Sequence, residues 1–232
     1  RVPTVSIFLI HQEQTYTAML ADSLGQKEHA PGGPVYQVAA PKLVRVASGV
    51  YAAHAGTLQP AVDMLSALAG ILATTTSWAE MVPHMRAIGV QTYDTYKQRF
   101  ASNSFDVRIA LVLTGARRHQ LDIEGDLSTS LLLWELARGF EPQRVKGRLY
   151  FAGSIPMTEV VGAFLALPLV AGMLSQGPLA ASHALIAAHA AVAKLSSTIS
   201  SDANLVVIGE DDEHTVLHGT LLELPQAELI KG

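Results

Sequence analysis

From Thr4 to Gly56 the chain alternates short apolar runs with polar, turn-rich segments, and beyond Gly56 the apolar period lengthens. Thr4 to Ile10 and Tyr16 to Ala21 are rich in β-branched and apolar residues. The polar insert His11-Gln12-Glu13-Gln14 between them predicts a hairpin. Ser23 to Pro34 holds three glycines and two prolines and reads as a long connection without an element of its own. Val35 to Ala40 and Leu43 to Ala47 predict strands on either side of Pro41, and Ser48-Gly49 turns the chain into a strand from Val50 to Ala55. After Gly56, helical spacing of Leu58, Val62, Leu65, Leu68, Ala69 and Leu72 predicts a helix over Leu58 to Thr74. A second helical region runs from Trp78 to Phe100, with Gly89 marking a bend or the end of its first part.

Strands resume at Phe105 to Gly115, Ser128 to Leu136 and Arg148 to Ala152, with a polar reversal over Ala137 to Gly147. Two further helices are predicted, Met157 to Leu174 and the alanine-rich Leu179 to Ser196, whose small side chains suit close packing against another layer. Strands Asn204 to Gly209 and His214 to Leu222 follow, joined across Glu210-Asp211-Asp212-Glu213. This order of strands, helices, strands, helices and strands predicts an α+β fold. In it two antiparallel sheets stack face to face, each covered outside by helices, as a four-layer αββα sandwich. The alternative is an α+β domain with its helices on one side. With no linker-like segment and no internal repeat, residues 1–232 read as one domain.

Hydrophobic residues make up 49% of the chain and charged ones 16%, a lean surface that implies part of the exterior faces other protein. A net charge of -4 provides no basic stripe for nucleic acid. The absence of cysteine excludes a disulfide framework, cysteine catalysis and thiolate metal sites, and it fits a reducing compartment. The most apolar stretch, Val160 to Leu174, is short for a membrane span and is interrupted by Pro168. Arg1 onward shows no signal-peptide pattern. The expected location is therefore the cytoplasm.

The chemistry-bearing residues sit at the ends of the early apolar runs. Asp22 closes the second, Lys42 opens the third and Gly56 closes the fourth, so a carboxylate, an ammonium and a glycine amide can surround one reacting atom. Thr4, near the start of the first run, is the candidate nucleophile.

With these strands in place, LADS around Asp22, PKLVRV around Lys42, AAHAGT around Gly56 and FAGS from Phe151 to Ser154 resemble motifs of the proteasome β-subunit family of N-terminal-nucleophile hydrolases. The resemblance spans nearly the whole chain, and the Lys42-to-Gly56 separation is the one expected of that family. It implies that Thr4 Oγ attacks a peptide carbonyl while the α-amine takes its proton. By the same resemblance Lys42 favours the nucleophile by its charge and Asp22 orients Lys42. The Gly56 N–H donates to the oxyanion, and Ser154 and Ser200 support the amine. His54 falls where the family lines the pocket for the substrate side chain preceding the cleaved bond.

Two features depart from the family. The chain starts at Arg1, and a threonine in peptide linkage has an amide nitrogen, which cannot serve as the base. The hydrophobic alternation also leaves two registers, one placing Thr4 at the nucleophile position and one placing Val2 there, because a two-residue slip preserves strand faces. In addition, Ser197 stands where the family has an aspartate, with Asp202 out of step. The expected function is a threonine-type endopeptidase, acting on peptide or unfolded protein inside a self-compartmentalised homo-oligomeric ring, with an unfoldase or regulatory partner. The alternatives are a catalytically inactive structural or regulatory subunit with the same fold and an amidase for a small acyl substrate. No cofactor, metal, nucleic acid or membrane partner is expected; His11, His29, His119, His183 and His189 lack ligand spacing.

Overall fold

The computed structural model describes residues 6–28, 35–97, 106–124, 127–153, 155–195 and 199–225. Strands β1 (Phe8–Gln12) and β2 (Tyr16–Asp22) form the predicted hairpin. Its registers, from Phe8↔Ala21 to Gln12↔Thr17, centre the turn between Gln14 and Thr15. His11 and Gln12 thus belong to the strand and not to the loop, and both are buried with partners of their own. His11 Nε2 meets the Leu174 carbonyl at 2.9 Å, and Gln12 Nε2 donates to Thr129 Oγ1 at 2.5 Å.

Next comes a ribbon, β3 (Leu24–Glu28) paired with β4 (Val35–Ala39). It corrects the reading of Ser23 to Pro34 as connection alone. The run Gly25-Gln26-Lys27-Glu28 carries no apolar signature, and its strand form comes from pairing across to β4. Strands β5 (Leu43–Ala47) and β6 (Val50–Gly56) then lead into helices α1 (Leu58–Leu72) and α2 (Trp78–Tyr96). Helix α2 continues through Gly89 without a break. A Cβ there would lie 2.3 Å from Phe140 Cγ, so this glycine lets the helix pack closely and does not bend it.

The second half begins with β7 (Val107–Thr114), a short helix α3 (Gly115–Gln120) that the apolar pattern did not signal, and β8 (Thr129–Glu135). The polar reversal that follows contains a short strand, β9 (Gln143–Val145), before β10 (Leu149–Ala152). The apolar segment predicted as one helix is two, α4 (Ile155–Leu165) and α5 (Pro168–Leu174), bent by 83°. Pro168 cannot donate a helical hydrogen bond, so it starts a new helix at its first turn. Helix α6 (Pro178–Ala193) and strands β11 (Ala203–Gly209), β12 (His214–His218) and β13 (Leu222–Glu223) complete the described chain. Among the described residues no single helix is long and apolar enough to cross a membrane.

The strands assemble into a five-stranded sheet, β10-β1-β2-β11-β12, and a six-stranded sheet, β13-β5-β6-β7-β8-β9. All pairings are antiparallel except the parallel β13–β5 edge, a departure from two purely antiparallel sheets. Because successive side chains point to opposite faces, the strands feed separate cores. Phe8, Ile10, Met19 and Ala21 meet Leu43, Tyr51, Ala53 and Val112 between the sheets. On the outside, Val44, Ile109 and Leu111 pack under Met64, Leu65 and Leu68 of α1, with α2 beside them. The other sheet presents Ile7, Leu9, Ala18 and Leu20 to Ala181, Ala184, Leu185 and Ala188 of α6. Helices, two sheets and helices make the predicted four-layer αββα sandwich.

Candidate active site

The local chemistry starts from two buried charges brought together across the sheets. Asp22 ends β2 in one sheet, and Lys42 immediately precedes β5 in the other; they are 0% and 2% exposed. Lys42 Nζ donates to Asp22 Oδ1 at 2.9 Å and Oδ2 at 2.8 Å, and also to the Leu24 carbonyl. The carboxylate is fixed in turn by backbone donors, with Ile7 N at 3.0 Å from Oδ1 and Leu24 N at 3.3 Å from Oδ2. Buried charges of this kind persist only when paired and hydrogen-bonded.

The remaining partner of Lys42 is a hydroxyl. Nζ donates to Ser6 Oγ at 2.8 Å, and Ser6 is itself buried, directly before β1. Burial lowers the pKa of Lys42, while the neighbouring Asp22 raises it against that effect. The geometry is that of an ammonium, because its three protons face three acceptor groups: the Asp22 carboxylate, the Leu24 carbonyl and Ser6 Oγ. Such a group stabilises negative charge developing on Ser6 Oγ. An ammonium has no free lone pair, so it cannot itself accept a proton from Ser6.

Two buried histidines flank the pair. His54 lies on β6, 1% exposed, with its backbone N–H donating to the Lys42 carbonyl at 3.2 Å and its ring facing the Pro41 carbonyl without a well-formed hydrogen bond on either nitrogen. Burial, and then the charge of Lys42, push its pKa down to about 3, against the opposing pull of the Pro41 carbonyl. The ring is neutral and enclosed. His189, on the sheet-facing side of α6, is also held below its ordinary value, chiefly by burial, with Asp22 opposing.

Gly56 closes β6 with φ of +96°, and a Cβ would stand 2.2 Å from the Asp106 carbonyl oxygen. Only glycine fits that turn. Ser200 comes to the neighbourhood of Asp22 through Ser23, whose Oγ is 3.3 Å from Ser200 Oγ and 3.1 Å from the Asp202 carbonyl; Ser200 Oγ also accepts from Asp202 N at 2.9 Å. In the FAGS segment, Gly153 lies against the site, since a Cβ on it would be 3.4 Å from the Ser6 carbonyl oxygen. Its own carbonyl accepts from Arg108 at 3.2 Å. Thr4, Val2, Ser154 and Ser197 lie outside the described residues.

Asp22 and Lys42 therefore meet as the sequence implied, with His54 beside Lys42, and the hydroxyl in contact with Lys42 is one the sequence reading did not single out. The missing signal was the turn centre. Taking His11 to Gln14 as the loop sets Asp22 opposite Pro3, beside Thr4. The observed centre, between Gln14 and Thr15, sets it opposite Ile7, beside Ser6. Among the described residues no group of three or more His, Asp or Glu is arranged to hold a metal ion.

The two-sheet sandwich flanked by helices matches the architecture of the N-terminal-nucleophile hydrolase fold. No protein-family model matches the chain, and no curated protein matches it in sequence. Among solved structures the chain is similar to a Gly-1 mutant of Anbu from Hyphomicrobium sp. strain MC1, with a TM-score of 0.63 and 9% identity over 92% of this chain and 87% of that one. It is also similar to eukaryotic HslV from Trypanosoma brucei, with a TM-score of 0.52 and 12% identity over 88% of this chain and 99% of that one. At these identities the likeness is one of fold.

Proposed function

We propose that this chain is an amide-bond hydrolase of the N-terminal-nucleophile type, cleaving peptide or unfolded protein with Ser6 as the attacking hydroxyl. The observation that carries the reading is the 2.8 Å contact between Lys42 Nζ and Ser6 Oγ, inside a pocket of buried charge completed by Asp22. Lys42 supplies field and not basicity, so the base is the α-amine of Ser6, freed when Arg1 to Val5 are removed. With a reference pKa of about 7.7 to 8.0, that amine is partly neutral near physiological pH. It takes the Oγ proton as the Oγ–C bond forms. The amine then passes the proton to the departing peptide nitrogen as the C–N bond breaks, and water hydrolyses the resulting ester. Gly56 N–H is the proposed oxyanion donor, a class of contact worth about 2.7 to 4 kcal/mol. Ser154 and Ser200 are the proposed supports for the amine, and His54 shapes the neighbouring substrate pocket. The rival assignment, Thr4, places the nucleophile two residues earlier in the sequence.

The lean surface charge and the uncharged α6 support assembly into a homo-oligomeric ring. Native mass spectrometry tests that directly, and monomers at micromolar concentration would rule the ring out.

A second reading has its own observation. Ser6 is in peptide linkage to Val5 in this sequence, which leaves no amine to act as base. A chain that keeps Arg1 to Val5 is a structural subunit with the sandwich and its contacts retained. Intact-mass measurement with and without a peptide β-lactone separates the readings. Loss of Arg1 to Val5 with an adduct on Ser6, abolished by Ser6→Ala and kept by Thr4→Ala, supports the hydrolase. An adduct on Thr4 transfers the role to that residue, and an unmodified full-length chain without turnover supports the structural subunit.

A further inference from the structure

A second polar site lies at the other end of the sandwich. Ser6 precedes β1 and Gln12 ends it, so the strand carries the chain about 20 Å from the hydroxyl before Gln12 is reached. There Gln12, the start of β8 and the stretch from β9 into the next turn surround a cleft of about 350 Å³. That volume sits at the small end of ligand pockets.

Its floor is polar and only partly satisfied, because Ser130 Oγ, also in the lining, is buried with no hydrogen-bond partner. Gln12 Nε2 donates to Thr129 Oγ1 at 2.5 Å and to the Thr129 carbonyl at 3.3 Å, and Thr17 Oγ1 lies 2.7 Å from Thr129 Oγ1. All three side chains are buried. Leu127, Leu131 and Val145 add apolar wall, and among the described residues the lining contains no Asp or Glu. At the mouth, Arg144 and Lys146 are exposed; Arg144 Nη2 donates to the Glu124 carbonyl, and among the described residues neither cation is paired with a carboxylate. Arg148, two residues on, differs in being neutralised by Glu13 at 2.9 Å. A chain of net charge -4 thus presents two uncompensated cations over a small, partly apolar cleft.

We propose that this cleft binds a small organic acid, one carboxylate on a short branched hydrocarbon body. Arg144 offers a carboxylate the N–H groups of its guanidinium that the Glu124 carbonyl does not use, and Lys146 adds a second positive charge. The hydrocarbon body lies against Leu127, Leu131 and Val145. Gln12, Thr17 and Thr129 bond to one another, and Ser130 Oγ is the floor group left to meet the ligand. Inorganic phosphate matches the mouth but gains nothing from the walls. The site is separate from Ser6 and does not depend on the proposed hydrolysis.

The test uses the full chain with methyl-labelled leucine and valine, titrated by NMR with acetate, isobutyrate and 4-methylvalerate, the matching amides, and inorganic phosphate. The expected result is a shift of the Leu131 and Val145 methyl signals that strengthens with chain length. Arg144→Ala and Lys146→Ala should each weaken it about tenfold, the scale of one charge-assisted contact. Ser6→Ala should bind as the parent does. The proposal fails if the amides bind as well as the acids. It fails equally if phosphate matches 4-methylvalerate, if the shifts fall elsewhere, or if nothing binds up to about 10 mM.

Discussion

Replacing Lys42 by methionine should destabilise the fold by about 3 kcal/mol, the low end of the cost of breaking a buried ion pair. The reasoning follows the partners left behind. Asp22 is 0% exposed and would keep its charge without its counter-ion, but Ile7 N and Leu24 N would still donate to it, which holds the loss down. Asp22→Ala should cost more, about 5 kcal/mol, because it strands the Lys42 ammonium and also orphans those two backbone donors. The double variant Lys42→Met with Asp22→Asn removes both charges and keeps an amide oxygen for Ile7 N. Its cost should fall short of the summed singles, Lys42→Met and Asp22→Asn, by about 2 kcal/mol. Urea unfolding followed by tryptophan fluorescence reads this out, since Trp134 is buried in the core beneath α1 and α2. The corresponding fall in Tm for Lys42→Met is about 6 to 12 °C for a domain of this size. Costs below about 1 kcal/mol, the range of exposed ion pairs, or strict additivity in the cycle would refute the account of a buried, mutually dependent pair.

The acid limb of stability should carry the signature of His54. Its folded pKa of about 3 lies below the ordinary 6.5, so its stabilising effect is complete above pH 6.5 and lost as pH falls toward 3. Between pH 7 and pH 5 the parent should lose about 2 kcal/mol more than His54→Phe by urea unfolding, and equal losses would show that the ring is not held neutral. Gly56→Ala should cost about 3 kcal/mol, from positive φ together with collision on the Asp106 carbonyl. Gly70→Ala, in the exposed last turn of α1 with open space around it, should instead stabilise by about 0.5 to 1 kcal/mol. Matching signs for the two glycine variants in thermal unfolding would contradict both.

Apolar periodicity made the layers legible, because each strand has to satisfy two faces and each helix one. The β1–β2 hairpin, β5–β6, α1 and α6 follow from it directly. It was silent for β3, where Gly25-Gln26-Lys27-Glu28 takes strand form by pairing with β4, and for α3, whose Gly-Ala-Arg-Arg-His-Gln has no apolar stripe. It also ran α4 and α5 together, because hydrophobicity is continuous there and only the missing N–H of Pro168 breaks the helix. At the candidate site the charges were legible from their places at strand ends. The hydroxyl was not. Thr4 and Ser6 are two apart in the sequence, so alternation cannot choose between them, and the choice depends on where the hairpin turns, a property that Glu13, Gln14 and Thr15 do not announce by type.

The position of β2 has a consequence for the order in which the molecule comes together. Ser6, Asp22 and Lys42 lie close in the chain and are synthesised before β10 and β11. Yet Asp22 pairs with Ala203, and β2 is sealed on its far edge only by β11, while β1 waits for β10. These pairings span most of the chain, and such long loops close slowly. Until the C-terminal strands are synthesised and docked, the carboxylate and the ammonium remain hydrated and the hydroxyl has no fixed neighbour. The contact between Lys42 and Ser6 is therefore not fixed until β10 and β11 have been made and have docked, and a chain truncated before β11 should lack it.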